Sequence, residues 1–273
     1  MTRTIRVFPR RTKATPTDPL AYVGLPDFWA EADRVEISVA FTWDLPRAEQ
    51  LAAEWEHIAP VTIGGPALGR SGGDFEPGRY LKPGYVITSR GCPNRCWFCG
   101  VWRRERHGLR ELPIREGWNV LDDNLLACSR NHIQQVFDML GRQSHRVEFT
   151  GGLEAARLRD WHIGLLAQLS PQPVIWFAYD EAGDWLPLAD ATERLRKAGF
   201  DFQGHRIRCY VLVGYPGDTL TAATSRLECV VDLGLTPMAM LYRDDTGQTT
   251  SDWRRFQRRW ARPAIIHSQA TPF

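Results

Sequence analysis

Short apolar segments alternate with amphipathic helical segments along most of this chain. Six apolar segments follow residue 84, at Tyr85–Thr88, Trp118–Leu121, Val147–Thr150, Val174–Tyr179, Ile207–Val213 and Met238–Tyr242. Apolar residues spaced three and four apart separate most of these segments, which indicates helices. Strands that alternate with helices form parallel sheets with right-handed crossovers. The sequence therefore predicts an α/β protein with a partial (β/α)6 barrel of parallel strands, whose chemistry is expected at the carboxyl ends of the strands.

Polar residues and glycines at the ends of the helical segments support this division. Ser129 is expected to cap the helix that precedes Gly141, and Gly199 is expected to end another helix. Either Asp218 or Thr219 is expected to open the helix that follows the fifth strand.

The first 75 residues are expected to form a smaller unit. Val35–Trp43 reads as a buried strand, Pro46–Ile58 as a helix and Val61–Ile63 as a second strand, so we expect a βαβ extension over residues 1–75. The segment GGPALGRSGGDFEPG is rich in glycine and proline, which is typical of a boundary. The partial barrel, with a basic C-terminal helix, is then expected over residues 76–273.

Composition bounds the setting of the protein. The chain has 273 residues, a formal net charge of +2 and six cysteines, and no uncharged apolar run long enough for a membrane span. The basic N-terminus has no apolar segment behind it that would make a secretory signal. Six cysteines are too few for a disulfide scaffold in a chain of this length. We therefore expect a cytoplasmic protein without a membrane partner.

Three of the cysteines lie on one short segment, GYVITSRGCPNRCWFCG. Cys92, Cys96 and Cys99 fall within eight residues, and the next cysteine, Cys128, lies beyond an intervening strand. A structural zinc site takes four protein ligands, whereas an iron–sulfur cluster held by three thiolates keeps one iron open for another ligand. The three-cysteine pattern therefore favours a catalytic iron–sulfur site over a structural metal site. A zinc knuckle or three ordinary thiols is the alternative.

The segment CPNRCWFC resembles the CxxxCxΦC signature of the radical S-adenosylmethionine (radical SAM) superfamily, with Phe98 as the aromatic residue. The resemblance covers roughly Gly84 to Asp244. It implies a 4Fe-4S cluster on Cys92, Cys96 and Cys99, with S-adenosylmethionine (SAM) bound to the fourth iron. It also implies that one electron, from a donor of the flavodoxin or ferredoxin type, cleaves SAM to a 5′-deoxyadenosyl radical that takes a hydrogen from the substrate.

Two patterns are candidates for the SAM amino group. Gly151, Gly152 and Glu154 resemble the GGE element of the superfamily, but they follow the third expected strand, whereas the element of the superfamily follows the second. The second strand ends instead in Asp122, Asp123 and Asn124, which resembles the acidic strand end of the branch allied to cobalamin-dependent enzymes. Aspartates at such positions also serve as helix caps and turns, so both assignments stay open.

Three further strand ends carry candidate cofactor-binding residues, and the resemblance assigns those of the fourth and fifth strands to SAM. Tyr179 and Asp180 end the fourth strand, where the superfamily places a polar contact to the ribose or the methionine carboxylate. Gly214 lies in VLVGYPGDT, which resembles the element that packs around adenine. Arg243 follows the sixth strand and could pair with a carboxylate or a phosphate, although a surface ion pair is the commoner role of a single arginine.

The N-terminal unit resembles a shortened cobalamin-binding domain. A DxHxxG ligand motif is absent before residue 84. We therefore expect no bound cobalamin.

The substrate is less constrained than the cofactors. Two basic segments, Trp102–Arg110 and Trp253–Arg262, combine arginines with aromatic residues, which suits phosphate and base contacts and favours a nucleotide or a nucleic-acid base. Helical spacing in the second segment also fits a solvated face over a core of Trp253, Phe256 and Trp260. The alternatives are the same chemistry on a small metabolite or peptide, and a non-catalytic zinc-binding module.

Overall fold

The structure, a computed structural model, describes residues 2–70, 72–106 and 108–261. It is an α/β protein with sheets of parallel strands. Its contacts divide it into two compact units, one of residues up to 117 together with 245–247, and the other of residues 118–244 together with those from 248 onward. The boundary expected at residues 75 and 76 falls inside the first of these units.

Twelve strands and seven α-helices lie in the described part of the chain. The strands are β1 Thr4–Phe8, β2 Ala21–Val23, β3 Arg34–Ser38, β4 Val61–Gly64, β5 Tyr85–Val86, β6 Ser89–Gly91, β7 Leu109–Glu111, β8 Asn119–Val120, β9 Glu148–Phe149, β10 Val174–Ala178, β11 Ile207–Val213 and β12 Thr236–Leu241. The helices are α1 Leu45–Trp55, α2 Val101–Arg104, α3 Arg130–Gly141, α4 Asp160–Gln168, α5 Trp185–Lys197, α6 Leu220–Asp232 and α7 Ser251–Trp260.

The first unit contains a parallel sheet in the order β2-β1-β3-β4. Helix α1 buries Ala48, Leu51 and Trp55 in a core with the apolar side chains of β1 and β3. Because β2 lies on one side of β1 and β3 lies on the other, the sheet reverses its winding direction between β1 and β3. This strand order is the one found in doubly wound open α/β sheets, although α1 is the one α-helix among the described connections of β1 to β4.

The sequence-based expectation of a βαβ extension omitted β1 and β2. The apolar pattern did not predict β1 because this strand carries Arg6, whose side chain is buried and only 9% exposed. Its guanidinium donates to the carbonyl oxygens of Gly78 and Arg79, at 2.9 and 2.6 Å, and pairs with Asp18. A buried arginine whose donors are satisfied interrupts the apolar pattern by which a strand is recognised.

The second unit contains five parallel strands in the order β12-β11-β10-β9-β8. One face of this sheet is fully buried and includes Phe149, Ile175, Phe177 and Val211. Alternate residues of β11, such as Arg208 and Tyr210, are only half-buried and therefore lie on the other face. No closed barrel is formed by the strands that the structure describes.

Most strand and helix ends agree with the sequence-based expectations to within a few residues. The strand expected over Val35–Trp43 ends earlier, at Ser38, and Thr42–Asp44 form a 3-10 helix instead. Strand β11 has the predicted bounds, and Ser129 caps α3 by accepting from the His132 amide at 3.2 Å. Of the two candidates for the cap of α6, Thr219 is the cap, because its hydroxyl accepts from the Ala222 amide at 3.1 Å. None of the helices within the described residues has the length and apolar character that a membrane span needs.

Candidate functional site

The three clustered cysteines lie on an irregular loop between β6 and α2. Cys92 directly follows β6, which pairs with β7 in an antiparallel ribbon. The sequence had predicted that Cys92 would follow a parallel strand of the barrel. The carbonyl oxygen of Cys96 accepts from the Cys99 amide at 3.1 Å and from the Trp102 indole at 3.0 Å. A tight turn therefore brings Cys96 and Cys99 to one end of the loop, anchored to α2.

Two glycines, Gly91 before the cysteine loop and Gly108 after α2, approach each other closely and form the neck of the segment that carries the loop. Gly91 adopts a φ of +91°, and a Cβ at this position would lie 2.9 Å from the carbonyl carbon of Gly108 and closer still to its oxygen. Real Cβ atoms do not tolerate such separations, and a positive φ strains residues that carry a side chain. Glycine before Cys92 is therefore required by the local structure, in which Gly108 returns to the position that Cys92 leaves.

The thiols suit an iron–sulfur cluster in chemical type. Cys92, Cys96 and Cys99 are all half-buried, and none of the six cysteines, all within the described ranges, is in a disulfide. Within those ranges no three His, Cys, Asp or Glu side chains form a group ready to hold a metal ion. The loop thus supplies three soft ligands at accessible positions, and cluster assembly would have to draw the three sulfur atoms together.

Phe98, the aromatic residue of the cysteine signature, packs within the loop itself. Its ring makes an edge-to-face contact with Trp97 at a centroid distance of 5.4 Å, while Trp97 is 45% exposed. Phe98 is half-buried. The two aromatic residues thus pack against each other between Cys96 and Cys99 in the sequence.

In the second unit, the two alternative patterns for the SAM amino group meet at one corner. The Gly151 amide donates to the Val120 carbonyl at 2.9 Å, and a Cβ on Gly151 would lie 2.9 Å from the Asp122 amide nitrogen. Asp122 is only 2% exposed, and Asp123 beside it is half-buried. The ends of β8 and β9 thus touch through their backbones, so the acidic strand end and the glycine element form one structural feature.

Glu154 joins this corner through its side chain. The Asn124 amide donates to Glu154 Oε2 at 2.7 Å, and Arg157 Nε donates to the same oxygen at 2.6 Å. Gly152, with a φ of +91°, makes the turn that leads the chain from β9 to Glu154. Asn124 belongs to the strand-end pattern that the sequence indicated, but it was not selected as a binding residue, because only the carboxylates of that pattern were considered as acceptors.

Tyr179 and Asp180 lie where β10 ends. Burial raises the pKa of Asp180 to about 7; the Leu212 amide, which donates to its Oδ1 at 2.9 Å, opposes this rise, and the Asp184 carboxylate adds to it. Burial also raises the pKa of Tyr179, whose ring lies 5.6 Å from that of Trp185. Asp180 thus ties the end of β10 to β11 and titrates close to neutrality.

Replacing Asp180 with asparagine is expected to stabilise the protein at alkaline pH. A raised pKa means that the folded protein holds this proton more tightly than the unfolded chain, so the stabilisation is complete below about pH 4 and is lost as the pH rises through 7. Asparagine keeps the acceptor for Leu212 but does not ionise. We expect Asp180→Asn to raise Tm by about 5 °C at pH 8.5, corresponding to about 2 kcal/mol, and to change it little at pH 4.

Differential scanning calorimetry at the two pH values measures this difference. The exposed Asp245 offers a matched control, and Asp245→Asn should give a small and pH-independent shift. An equal shift of Asp180→Asn at both pH values would contradict a raised pKa.

Gly214 and Arg243 follow the last two strands of the sheet. Gly214 has a φ of +75°, and a Cβ there would lie 2.8 Å from a Leu241 methyl group and 3.0 Å from the Trp253 ring. Its amide donates to Asp218 Oδ2 at 2.8 Å, and Arg226 pairs with the same oxygen. Arg243 is half-buried beyond the end of β12. The glycine is therefore fixed by close packing at the strand end.

An aromatic group on the less buried face of the sheet was not anticipated. The rings of Trp176 and Tyr210 stack at 4.2 Å with an interplanar angle of 13°, and the Arg208 guanidinium lies 5.1 Å above Trp176. The Tyr210 hydroxyl donates to the Thr150 carbonyl oxygen at 3.1 Å. The signal in the sequence was the alternation of Arg208 and Tyr210 with apolar residues along β11.

The two basic segments show different environments. In the first, the Arg103 guanidinium lies 4.6 Å from the Trp102 ring centroid. In the second, α7 buries Trp260 and exposes its arginines, as the helical spacing predicted. His107 and Arg262 lie outside the described residues. The cysteine loop and the first basic segment belong to the first unit, whereas the corner around Asp122, the aromatic group and α7 belong to the second.

Comparisons with known proteins assign no family. The chain matches no protein-family model, and no curated protein matches it.

Proposed function

We propose that this protein is a cytoplasmic radical SAM enzyme with a partial (β/α)6 barrel and a small N-terminal extension. The observation that carries the proposal is the cysteine loop. Three half-buried thiols lie on one excursion whose neck requires glycine at position 91, and the fourth ligand position is left to a small molecule. A loop that served only to fill space would not need three soft ligands or so tight a closure.

Cys92, Cys96 and Cys99 are the residues that would hold the 4Fe-4S cluster, each as a thiolate. When bound, the cluster and SAM would supply the one-electron cleavage that yields a 5′-deoxyadenosyl radical for hydrogen abstraction. The part of the protein is to hold the thiolates, orient SAM and keep water away. Phe98 and Trp97 are suited to the last of these roles because their rings lie beside the thiols in the sequence and pack against each other.

The corner between β8 and β9 is the proposed SAM-binding element of the second unit. A Cβ on Gly152 would meet only the Trp176 carbonyl oxygen, at 3.9 Å, so the backbone there is open to a ligand, whereas Gly151 is packed against the Asp122 backbone. Glu154 offers a carboxylate that Asn124 and Arg157 hold in place. An ammonium group pairs well with a carboxylate that is already oriented. This geometry favours Glu154 as the acceptor from the amino group, with buried Asp122 supporting the glycine turn from behind.

Anaerobic reconstitution tests the proposed function. The purified protein, treated with iron and sulfide, is expected to turn brown, to carry about four irons per chain and to release 5′-deoxyadenosine when dithionite and SAM are added. A colourless protein that takes up zinc instead and leaves SAM intact would establish the zinc-binding alternative. The electron donor in the cell would be a flavodoxin or ferredoxin, which can replace dithionite in the same assay.

A further inference from the structure

The first unit contains a cavity of about 650 Å³ that the proposed cysteine and SAM residues do not use. It lies at the carboxyl ends of the strands. Its lining includes Phe8 and Arg10 at the end of β1, Ser38 and Phe41 at the end of β3, and the turn that follows β4. In open α/β sheets the ligand site is the crevice at the carboxyl edge where the winding reverses. The sheet reverses between β1 and β3, so the cavity occupies that crevice, and its volume suits a small molecule.

The wall of this cavity is built by a close approach between two strand ends. Gly65, which follows β4, has a φ of +108°, and a Cβ there would lie 2.5 Å from the Val39 carbonyl oxygen and 2.7 Å from its amide nitrogen. The Val39 amide donates to the Gly64 carbonyl at 2.9 Å, and the Ala67 amide donates back to Val39 at 3.0 Å. These contacts fix the backbone on that side.

The cavity also reaches the base of the cysteine loop. Arg90, two residues before Cys92, and Arg104, five residues after Cys99, both line it. Arg90 Nε donates to the Gly73 carbonyl at 3.2 Å, which connects the loop base to the glycine-rich segment on the far side of the cavity. A molecule bound here would therefore lie against the element that carries the proposed cluster.

Charge inside the cavity favours an anion. Each lining carboxylate is already paired with an arginine: Glu36 and Glu76 with Arg79, Asp44 with Arg10, and Asp74 with Arg110. Arg70 also lines the cavity, is exposed, and forms no hydrogen bond or ion pair within the described residues. Because the carboxylates are committed, this guanidinium is the group best placed to take an anionic substituent of a ligand.

Aromatic rings line the same space. Phe41 stacks on Trp43 at 4.9 Å with an interplanar angle of 10°, and Tyr80 is 39% exposed with its hydroxyl held by Glu36 at 2.6 Å. Phe8 and Phe75 are buried in the lining. Of these rings, half-buried Phe41, which has the Arg10 guanidinium 5.8 Å from its centroid, and exposed Tyr80 are accessible enough for a heterocyclic base to stack on.

We propose that this cavity binds a 5′-mononucleotide, with its phosphate on Arg70 and its base against Phe41, and that the nucleotide is the substrate of the proposed radical SAM reaction. The volume, the committed carboxylates, the available guanidinium and the aromatic wall together fit a base joined to a phosphate. The substrate role rests on the proposed function, whereas the binding site rests on the first unit alone.

Isothermal titration of the full-length chain with AMP, GMP, CMP and UMP tests the site, first without reconstitution so that no cluster is needed. We expect at least one nucleotide to bind and Arg70→Ala to weaken that binding by about tenfold or more, since a charge-assisted contact is lost. Arg47→Ala is the matched control, because Arg47 is an exposed arginine on α1 that does not line the cavity. Phe41→Leu should weaken binding of the nucleotide and of its nucleoside alike.

The remaining outcomes separate the two proposals. Absence of binding by all four nucleotides, or equal binding by nucleoside and nucleotide, would each overturn the nucleotide site. If reconstituted protein then still released 5′-deoxyadenosine, the proposed function would stand without it. Conversely, the protein could bind a nucleotide through Arg70 and yet fail to assemble a cluster. That result would support the nucleotide site but would show that the bound nucleotide is not the substrate of a radical SAM reaction.

Discussion

Alanine at Cys92, Cys96 or Cys99 is expected to abolish both cluster assembly and SAM cleavage. A three-thiolate site has no spare ligand, so the loss of one sulfur leaves the cluster with two protein ligands. Iron content after reconstitution should fall from about four per chain to below one, with loss of the brown absorption, and release of 5′-deoxyadenosine should fall at least a hundredfold. Folding should change little, because all three cysteines lie on an irregular loop at half-buried positions.

Cys229→Ala provides the control for these three variants. Cys229 is also a half-buried cysteine, but it lies in the middle of α6 in the second unit. Its replacement should leave iron content and SAM cleavage at the level of the unchanged protein. Full turnover by any one of the three loop variants would disprove the ligand assignment.

The sequence predicted the second unit better than the first. Strands such as β11 are buried on one face and alternate along their length, so periodicity locates them. Strand β1 has Arg6 at a buried position, and β2 has three residues, so neither presents a pattern that single-sequence reasoning recognises. The order of the strands, and therefore the place where the winding reverses, is a property of the tertiary structure.

Sequence spacing found the residues of the candidate site but could not decide between alternatives that meet in space. Asp122 and Gly151 are 29 positions apart and were treated as competing assignments, yet parallel pairing of β8 and β9 brings their backbones into contact. The salt bridge between Arg157 and Glu154 and the bond from Asn124 then single out one carboxylate as oriented. Such selection depends on side-chain partners that the sequence does not specify.

The cavity of the first unit could not be predicted from the sequence, because it is formed by segments that are far apart in the chain. Its lining comes from the ends of β1, β3 and β4, from the glycine-rich segment and from both sides of the cysteine loop. No single segment carries a recognisable motif, and Arg70 is distinctive only because the carboxylates near it are already paired. That property depends on the complete set of ion pairs in the folded unit.

Alanine at position 91 is expected to disrupt the cysteine loop although it leaves all three thiols in place. The new Cβ would overlap the Gly108 carbonyl, and the φ of +91° would be strained by about 1–3 kcal/mol in addition. Because Gly91 and Gly108 close the neck, the loop should open and hold the cluster poorly. We expect iron content after reconstitution to fall below half and SAM cleavage to fall at least tenfold, with faster proteolysis within residues 92–108.

Gly100→Ala is a close control for this variant. Gly100 directly follows Cys99, has a φ of −84°, and has no atom within 4 Å of the position that a Cβ would take. Its replacement adds the same methyl group on the other side of the thiols and should leave iron content and turnover unchanged. Equal losses in both variants would mean that the loop resists any added side chain, whereas a fully active Gly91→Ala protein would show that closure of the neck is not needed. Only a loss confined to Gly91→Ala ties the proposed chemistry to the contact between Gly91 and Gly108.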